Sequence, residues 1–233
     1  DWLSGGKGND TLVGGDGHDE LNGNSGDDLL SDGAGNDWVD GSSGDDTVLA
    51  GEGDDSYKGG SGFDTLDFSE ATGGMTVDIS KSTAVGLGDD TFHGFESYIG
   101  SSYNDVFKGS SNGEAIDGGL GNDVIRGLGG NDTLTGGAGN DTFVWLAKDV
   151  AANGQSVGVD VVTDFGEGDV LDLHDMLKKF KPAEVADHVR LVDGAEGSTL
   201  SVDIGGTFFE VAMLEGVHNT TAADLLASGA LLA

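Results

Sequence analysis

The sequence predicts an all-β chain: a right-handed parallel β-roll, followed by a small β-rich cap with one or two short helices. Three observations predict it. Residues 5–67 read as seven nine-residue units without an insertion or deletion. The sixth place of each unit is acidic (Asp10, Asp19, Asp28, Asp37, Asp46, Asp55, Asp64), and the eighth is apolar or aromatic (Leu12, Leu21, Leu30, Val39, Val48, Tyr57, Leu66). The places before the aspartate are rich in glycine, and the 233 residues hold 44 Gly against one Pro.

Each unit divides into a Gly-rich six-residue half and a three-residue half such as Thr11-Leu12-Val13. Glycine admits positive φ and close backbone approach, which a tight turn needs. The short half alternates out-in-out, as a strand must. Strand and turn alternating at period nine describe a coil of 18 residues per circuit. Its two parallel sheets face each other and bury place eight. The start fits the same frame, because Asp1 and Leu3 fall on places six and eight of a unit cut in the middle. A chain that begins inside a repeat, with no initiator Met and no N-terminal signal, is expected to be a fragment of a longer protein.

This geometry explains the aspartates. Units n and n+2 lie one above the other, about 4.8 Å apart. Two such turns gather two carboxylates and several turn carbonyls round one point. Calcium takes six to eight oxygens at about 2.3–2.6 Å, so stacked turns make a site and a lone turn supplies half of one. Gly-Gly-x-Gly-x-Asp-x-apolar-x is a known calcium-binding pattern. One ladder is Asp10, Asp28, Asp46 and Asp64; the other, on the opposite edge, is Asp1, Asp19, Asp37 and Asp55. An inner Asp has neighbours above and below and can bridge two ions. A flexible solvated linker would give no reason for an apolar residue at place eight in every unit.

Residues 68–95 break the register. Phe68, Met75, Val77, Ile79, Val85, Phe92 and Phe95 alternate with polar residues, which predicts extended strands that widen the roll rather than a separate domain. The frame resumes over 96–144, with Glu96, Asp105, Glu114, Asp123, Asp132 and Asp141 at place six. Phe107, Ile116, Ile125, Leu134 and Phe143 stand at place eight. The ladders here are Glu96/Glu114/Asp132 and Asp105/Asp123/Asp141, with Glu114 in a degenerate unit. Residues 145–233 lose most of their glycine and read as a capping region. Strands are predicted over 159–165, 188–192, 199–204 and 207–214, with Gly205-Gly206 as a hairpin turn. Helices are predicted over 173–180, stopped near Pro182, and over 222–227, with Thr221 as N-cap.

Charge bounds the partners. Asp and Glu number 43 against 10 Lys and Arg, a formal charge of -33. Such a chain repels itself until cations cancel the charge. No nucleic acid partner is expected, and no apolar run is long enough for membrane insertion. With no Cys, disulfides and Cys-based zinc sites are excluded. His18, His93, His174, His188 and His218 are scattered and form no His-Glu-x-x-His motif. No catalytic residues are therefore expected, and any catalytic domain would lie upstream.

The blocks 1–67 and 96–144 resemble the repeats-in-toxin, or haemolysin-type calcium-binding, family. The intervening Leu66-Asp67-Phe68-Ser69, Phe95-Glu96 and Gly100-Ser101-Ser102-Tyr103-Asn104-Asp105 are similar to the spacer such proteins carry. Asp160-Val161-Val162-Thr163-Asp164-Phe165 and Gly168-Asp169-Val170-Leu171-Asp172-Leu173 resemble the C-terminal region of type I secretion substrates, the latter most of all that of bacterial surface adhesins. Phe209-Glu210-Val211 with Leu214-Glu215-Gly216 is similar to repeat modules of secreted alginate epimerases.

The resemblance implies that one turn gives the carbonyls of places two and four plus its Asp. The turn two units later gives those of places one and three plus its Asp. One ion would then see Gly6, Gly8 and Asp10 with Gly23, Ser25 and Asp28. Another would see Gly15, Gly17 and Asp19 with Asp32, Ala34 and Asp37, where only the carbonyl of Asp32 is needed. The same assignment carries to Gly26, Gly35, Gly41, Ser43, Gly44, Gly51, Gly53, Gly59 and Ser61 in the first block. In the second it carries to Gly118, Gly119, Leu120, Gly121, Gly127, Gly129, Gly130, Gly136 and Ala138. About ten Ca²⁺ would be held, leaving a formal charge of about -13.

Calcium is scarce inside cells and plentiful outside. The implied function is a module unfolded in the cytosol, exported by the type I secretion apparatus and folded once secreted, either extracellular or at the bacterial cell surface. The alternative is a polysaccharide- or surface-binding (adhesion) module of an adhesin or a glycan-modifying enzyme. Trp2 and Trp38, outward at place seven with Glu20 between them and about 10 Å apart, are the residues that suggest it.

Overall fold

The computed structural model describes residues 1–152, 155–156, 158–181 and 183–232. Two sheets, of twelve and eleven strands, face each other along the molecule. Successive strands of the chain alternate between them through the repeat blocks. Partners in each sheet are 18 residues apart, as Leu3 with Leu21 in one and Leu12 with Leu30 in the other. One circuit is therefore two units, and the fold is the parallel β-roll that the period predicts.

Place eight builds the core. Leu21, Leu30, Val39, Val48, Tyr57 and Leu66 are wholly buried, and Phe107, Ile116, Ile125, Leu134 and Phe143 continue the stack. Their sequence neighbours face outward, because alternate side chains of a strand leave opposite faces. Each such side chain contributes about 1.5–3 kcal/mol of burial, so every circuit adds a similar increment.

The early strands are longer than three residues. Trp2–Lys7, Thr11–Asp16, Glu20–Ser25, Leu29–Ala34 and Trp38–Ser43 run on through places one to three, which the sequence assigns to the turn. The pairing persists past a bend at place two, where Gly6 pairs with Asn24. Asn24 adopts φ 73° there without being glycine. Its amide donates to Asn22 O at 2.9 Å and Ser4 Oγ at 3.0 Å, which offsets the strain. In the second block the strands shrink to three residues, as in Val106–Lys108 and Val124–Arg126.

The segment 68–95 enters one sheet only. Asp89–His93 lies parallel to Ser56–Ser61, Thr83–Val85 turns back antiparallel, and Thr76–Asp78 passes the row on to Val106–Lys108. In the other sheet Thr65–Asp67 pairs directly with Ser97–Ile99, and these with Ala115–Asp117. The roll thus widens on one side and runs unbroken on the other.

Beyond the second block the pairing offset becomes 28, as in Thr142 with Val170 and Thr133 with Val161. The added length holds the helix Ala147–Val150. Arg126 anchors it through an ion pair of 2.7 Å to Asp149. A meander of Val189–Asp193, Gly197–Asp203 and Phe208–Glu215 then extends one sheet, and Leu231–Leu232 ends the other. The hairpin turn falls at Gly205-Gly206, with φ 71° and 94°. Thr221 and Asp224 form a reciprocal cap on the helix Ala222–Ser228. The other predicted helix is a single turn, His174–Leu177, and its expected stop at Pro182 lies outside the described residues.

Candidate metal centre

The place-six aspartates stand in two rows, one on each edge of the roll. Along each row the backbone N–H groups donate to a carboxylate oxygen of the circuit that follows, except at Glu96, whose N–H donates to Asp64 O at 3.1 Å. On one edge Asp10 donates to Asp28, Asp28 to Asp46 and Asp46 to Asp64, at 2.7, 2.8 and 2.9 Å. Asp64 then donates to Glu96 at 3.0 Å, Glu114 to Asp132 at 2.9 Å and Asp132 to Asp160 at 3.1 Å. On the other edge Asp19 donates to Asp37, Asp37 to Asp55 and Asp55 to Asp90, at 2.7, 2.8 and 3.1 Å. This row stops at the inserted hairpin and restarts with Asp105 to Asp123, Asp123 to Asp141 and Asp141 to Asp169, at 2.8, 2.8 and 2.9 Å. The chain's terminal ammonium, on Asp1, pairs with the Asp19 carboxylate.

This hydrogen bond uses one oxygen of each carboxylate. The Oδ2 atoms of Asp10, Asp19, Asp28, Asp37, Asp46, Asp64, Asp90, Asp123 and Asp132 are buried without a hydrogen-bond partner. Burying a carboxylate oxygen unpaired costs several kcal/mol, so a row of them calls for a cation. Glycine at place one leaves this locus bare for it, and only a side chain that itself brings an oxygen could share the locus with a cation. A Cβ on Gly5 would lie 2.8 Å from Asp10 Oδ2 and 2.9 Å from Gly23 O. At Gly41 and Gly118 the carbonyls of Gly59 and Gly136 come within 2.7 Å of the same locus. An all-oxygen donor set of carboxylate and carbonyl suits a hard cation such as calcium, so these residues fit calcium. It would supply the positive charge that closes each pair of turns.

At Gly5, Gly41 and Gly118 the turn's own carboxylate and the place-one carbonyl of the following circuit come to one point. Place-three carbonyls are engaged across the circuits: Ser25 O accepts from Gly8 N at 2.8 Å, and Ser43 O from Gly26 N at 3.0 Å. Glu114 and Asp105 are held by their own turns, the former by the hydroxyl and N–H of Ser110 and the latter by those of Ser101.

Three members of the rows, Asp90, Asp160 and Asp169, are absent from the sequence-derived ladders. Asp160-Val161-Val162 and Asp169-Val170-Leu171 carry the Asp-x-apolar signature, which is the signal that marks them. Trp145 Nε1 donates to Asp160 Oδ2 at 2.6 Å and closes the end of that row. A second, outer ladder at place five was also not anticipated. Its side chains accept from the circuit that follows, as Asn9 from Asp27 N, Asp27 from Asp45 N and Asn122 from Asn140 N, at 3.0, 3.0 and 2.7 Å. Trp2 and Trp38 lie outward and flank Glu20 in register.

Without an ion, burial and then neighbouring carboxylates push the Asp64 carboxyl up to about 6 and those of Asp90 and Asp123 to about 7. Asp46, Asp55, Asp132 and Asp141 are raised for the same reasons. The ion-free roll therefore holds more protons than the unfolded chain between about pH 4 and 7, and its stability rises as pH falls through that window. In chelator, β structure by circular dichroism should grow as pH drops from 8 to 5. A monotonic loss over that range would contradict the buried, uncompensated carboxylates.

The fold and its two carboxylate rows define a calcium-binding β-roll, a structural module rather than a catalytic one. The family model of the RTX calcium-binding nonapeptide repeat matches residues 1–30, 31–66 and 109–143, and these segments are repeats of that kind. Among solved structures the chain is similar to the extracellular lipase LipA of Serratia marcescens. That match has 16% identity and a TM-score of 0.31 over 93% of this chain, and it spans 40% of the lipase's length. It is also similar to the AlgE6R3 subunit of the Azotobacter vinelandii mannuronan C5-epimerase. Here identity is 26% and the TM-score 0.26, over 56% of this chain and 78% of that one. No curated protein sequence matches the chain.

Proposed function

We propose that this chain is the calcium-folded module of a secreted bacterial protein, kept unfolded by low cytosolic calcium, exported by a type I secretion apparatus and closed by calcium outside the cell. The observation that carries this reading is the row of buried carboxylate oxygens without partners in a chain of formal charge -33. Self-repulsion of that size opposes the compact state. Each ion bound only by the folded state adds about 2.7 kcal/mol at one hundred times Kd. Several such increments equal the net stability of an ordinary domain, so folding is steep in calcium. The C-terminal cap supplies the last strands of both sheets, which suits a segment that leaves the cell first and seeds the roll.

Circular dichroism of the full chain tests this at pH 7.5. Coil is expected in chelator and β structure in millimolar calcium, with a sigmoidal titration. Full β content in chelator would sink the reading.

A further inference from the structure

One circuit of the roll departs from the others. Place one, glycine in most units, is Asp32 in the fourth. Only its backbone carbonyl was expected to matter. The structure instead buries the whole side chain and turns it toward the carboxylate row. One oxygen each of Asp32, Asp37 and Asp55 lies within 4.8 Å of the other two, the single such triple among the described residues. Asp37 is 95% buried, from a 5% exposure, and its Oδ2 has no partner.

The place-eight residue of the next unit on this row is Tyr57, whose ring fills the core while its hydroxyl reaches the turn. That hydroxyl stands 2.8 Å from Asp32 Oδ2 and 2.9 Å from Asp55 Oδ2. A phenol has one proton, so it can donate to only one of them. Gly33 N donates to Asp32 Oδ1 at 2.9 Å and fixes the carboxylate in place. The triple thus holds three negative charges, two oxygens competing for one proton and one oxygen with no partner.

We propose that Asp32, Asp37 and Asp55 form a three-carboxylate cation centre, distinct from the two-carboxylate sites of the other circuits and selective for hard cations of higher charge. The inference rests on the calcium reading of the rows and adds a ligand from a side chain that the repeat pattern does not assign. With a divalent ion the centre keeps one net negative charge; with a trivalent one it is neutral. Affinity at oxygen sites rises with ligand charge and site rigidity. Asp32 is held by Gly33 and Tyr57, so little ordering remains to be done on binding. This centre fills first and exchanges its calcium for a lanthanide in preference to the rest.

The test uses the calcium-saturated full chain titrated with Tb³⁺, read by calorimetry and by luminescence sensitised through Tyr57. The first equivalent is expected to bind about tenfold or more tighter than those that follow. Asp32→Asn and Asp32→Gly should both abolish that first step; the latter restores the glycine other units carry and keeps the turn intact. A first equivalent no tighter than the second in the unmodified chain overturns the proposal, as does a tight first step that persists in Asp32→Gly. Calcium-driven folding is measured alongside, so its absence would mark failure of the underlying reading rather than of this centre.

Discussion

Gly35→Ala is expected to destabilise the roll strongly even in saturating calcium. Gly35 stands at place four with φ +135°, and a Cβ there would fall within the van der Waals envelope of Gly17 O, one circuit earlier. Neither partner is free to move. Gly35 N donates to Glu52 O at 2.7 Å and Gly17 N to Ala34 O at 2.7 Å, so relief of the clash breaks the turn-to-turn ladder. The loss should be about 4 kcal/mol or more, comparable with the net stability of a domain. Gly6→Ala is the matched control. Its φ is +101°, but no atom lies within 4 Å of the added Cβ, leaving only the left-handed backbone cost of about 1–2 kcal/mol. Urea unfolding in millimolar calcium separates them, and equal losses would show that close circuit contact is not the constraint.

Asp46→Ala should cost two ions. Its Oδ1 accepts from Asp28 N at 2.8 Å, its own N–H donates to Asp64 at 2.9 Å, and its Oδ2 is one of the unpartnered oxygens. Removing it takes a carboxylate from the space toward Asp28 and from the space toward Asp64. Two sites at about 2.7 kcal/mol each give about 5 kcal/mol at one hundred times Kd. Asp10→Ala, at a position joined only to Asp28 in its row, should cost about half as much. Calcium stoichiometry by equilibrium dialysis, with the calcium midpoint of folding, reads both effects. Indistinguishable variants would mean that inner aspartates do not bridge.

The roll was legible because its constraints repeat: one apolar residue at place eight says little, but twelve apolar or aromatic ones recurring every nine residues within the two blocks leave little choice of fold. The departures from the sequence pattern lie where local structure overrides the period. The hairpin at 76–93 moves Asp90 to 35 residues from Asp55, and the helix Ala147–Val150 lies in the insertion that moves Asp169 to 28 from Asp141. Counting by nine finds neither. Place eight assigns Tyr57 to the core, where its ring lies, but its hydroxyl reaches the carboxylates of the turn. Place one normally carries no side chain, so the repeat pattern gives Asp32 only a carbonyl to contribute. The predicted pair of ladders in each block also joins differently, since one edge continues from Asp64 through Glu96 and the other is interrupted.

The direction of the inner hydrogen bonds gives the molecule a growth polarity. Apart from Glu96, the place-six N–H groups of the rows donate to a carboxylate that lies later in the sequence, and the cap closes the later end through Asp160–Val162 on Phe208–Glu215 and Val170–Asp172 on Leu231–Leu232. A circuit laid on from the cap side meets acceptor oxygens already fixed on a finished face. A circuit begun from the other end offers donors to carboxylates not yet ordered. On the proposed calcium-driven folding, the roll is expected to accrete like a crystal with one active face, from the C-terminal cap towards Asp10, with amide protection appearing last around Asp10.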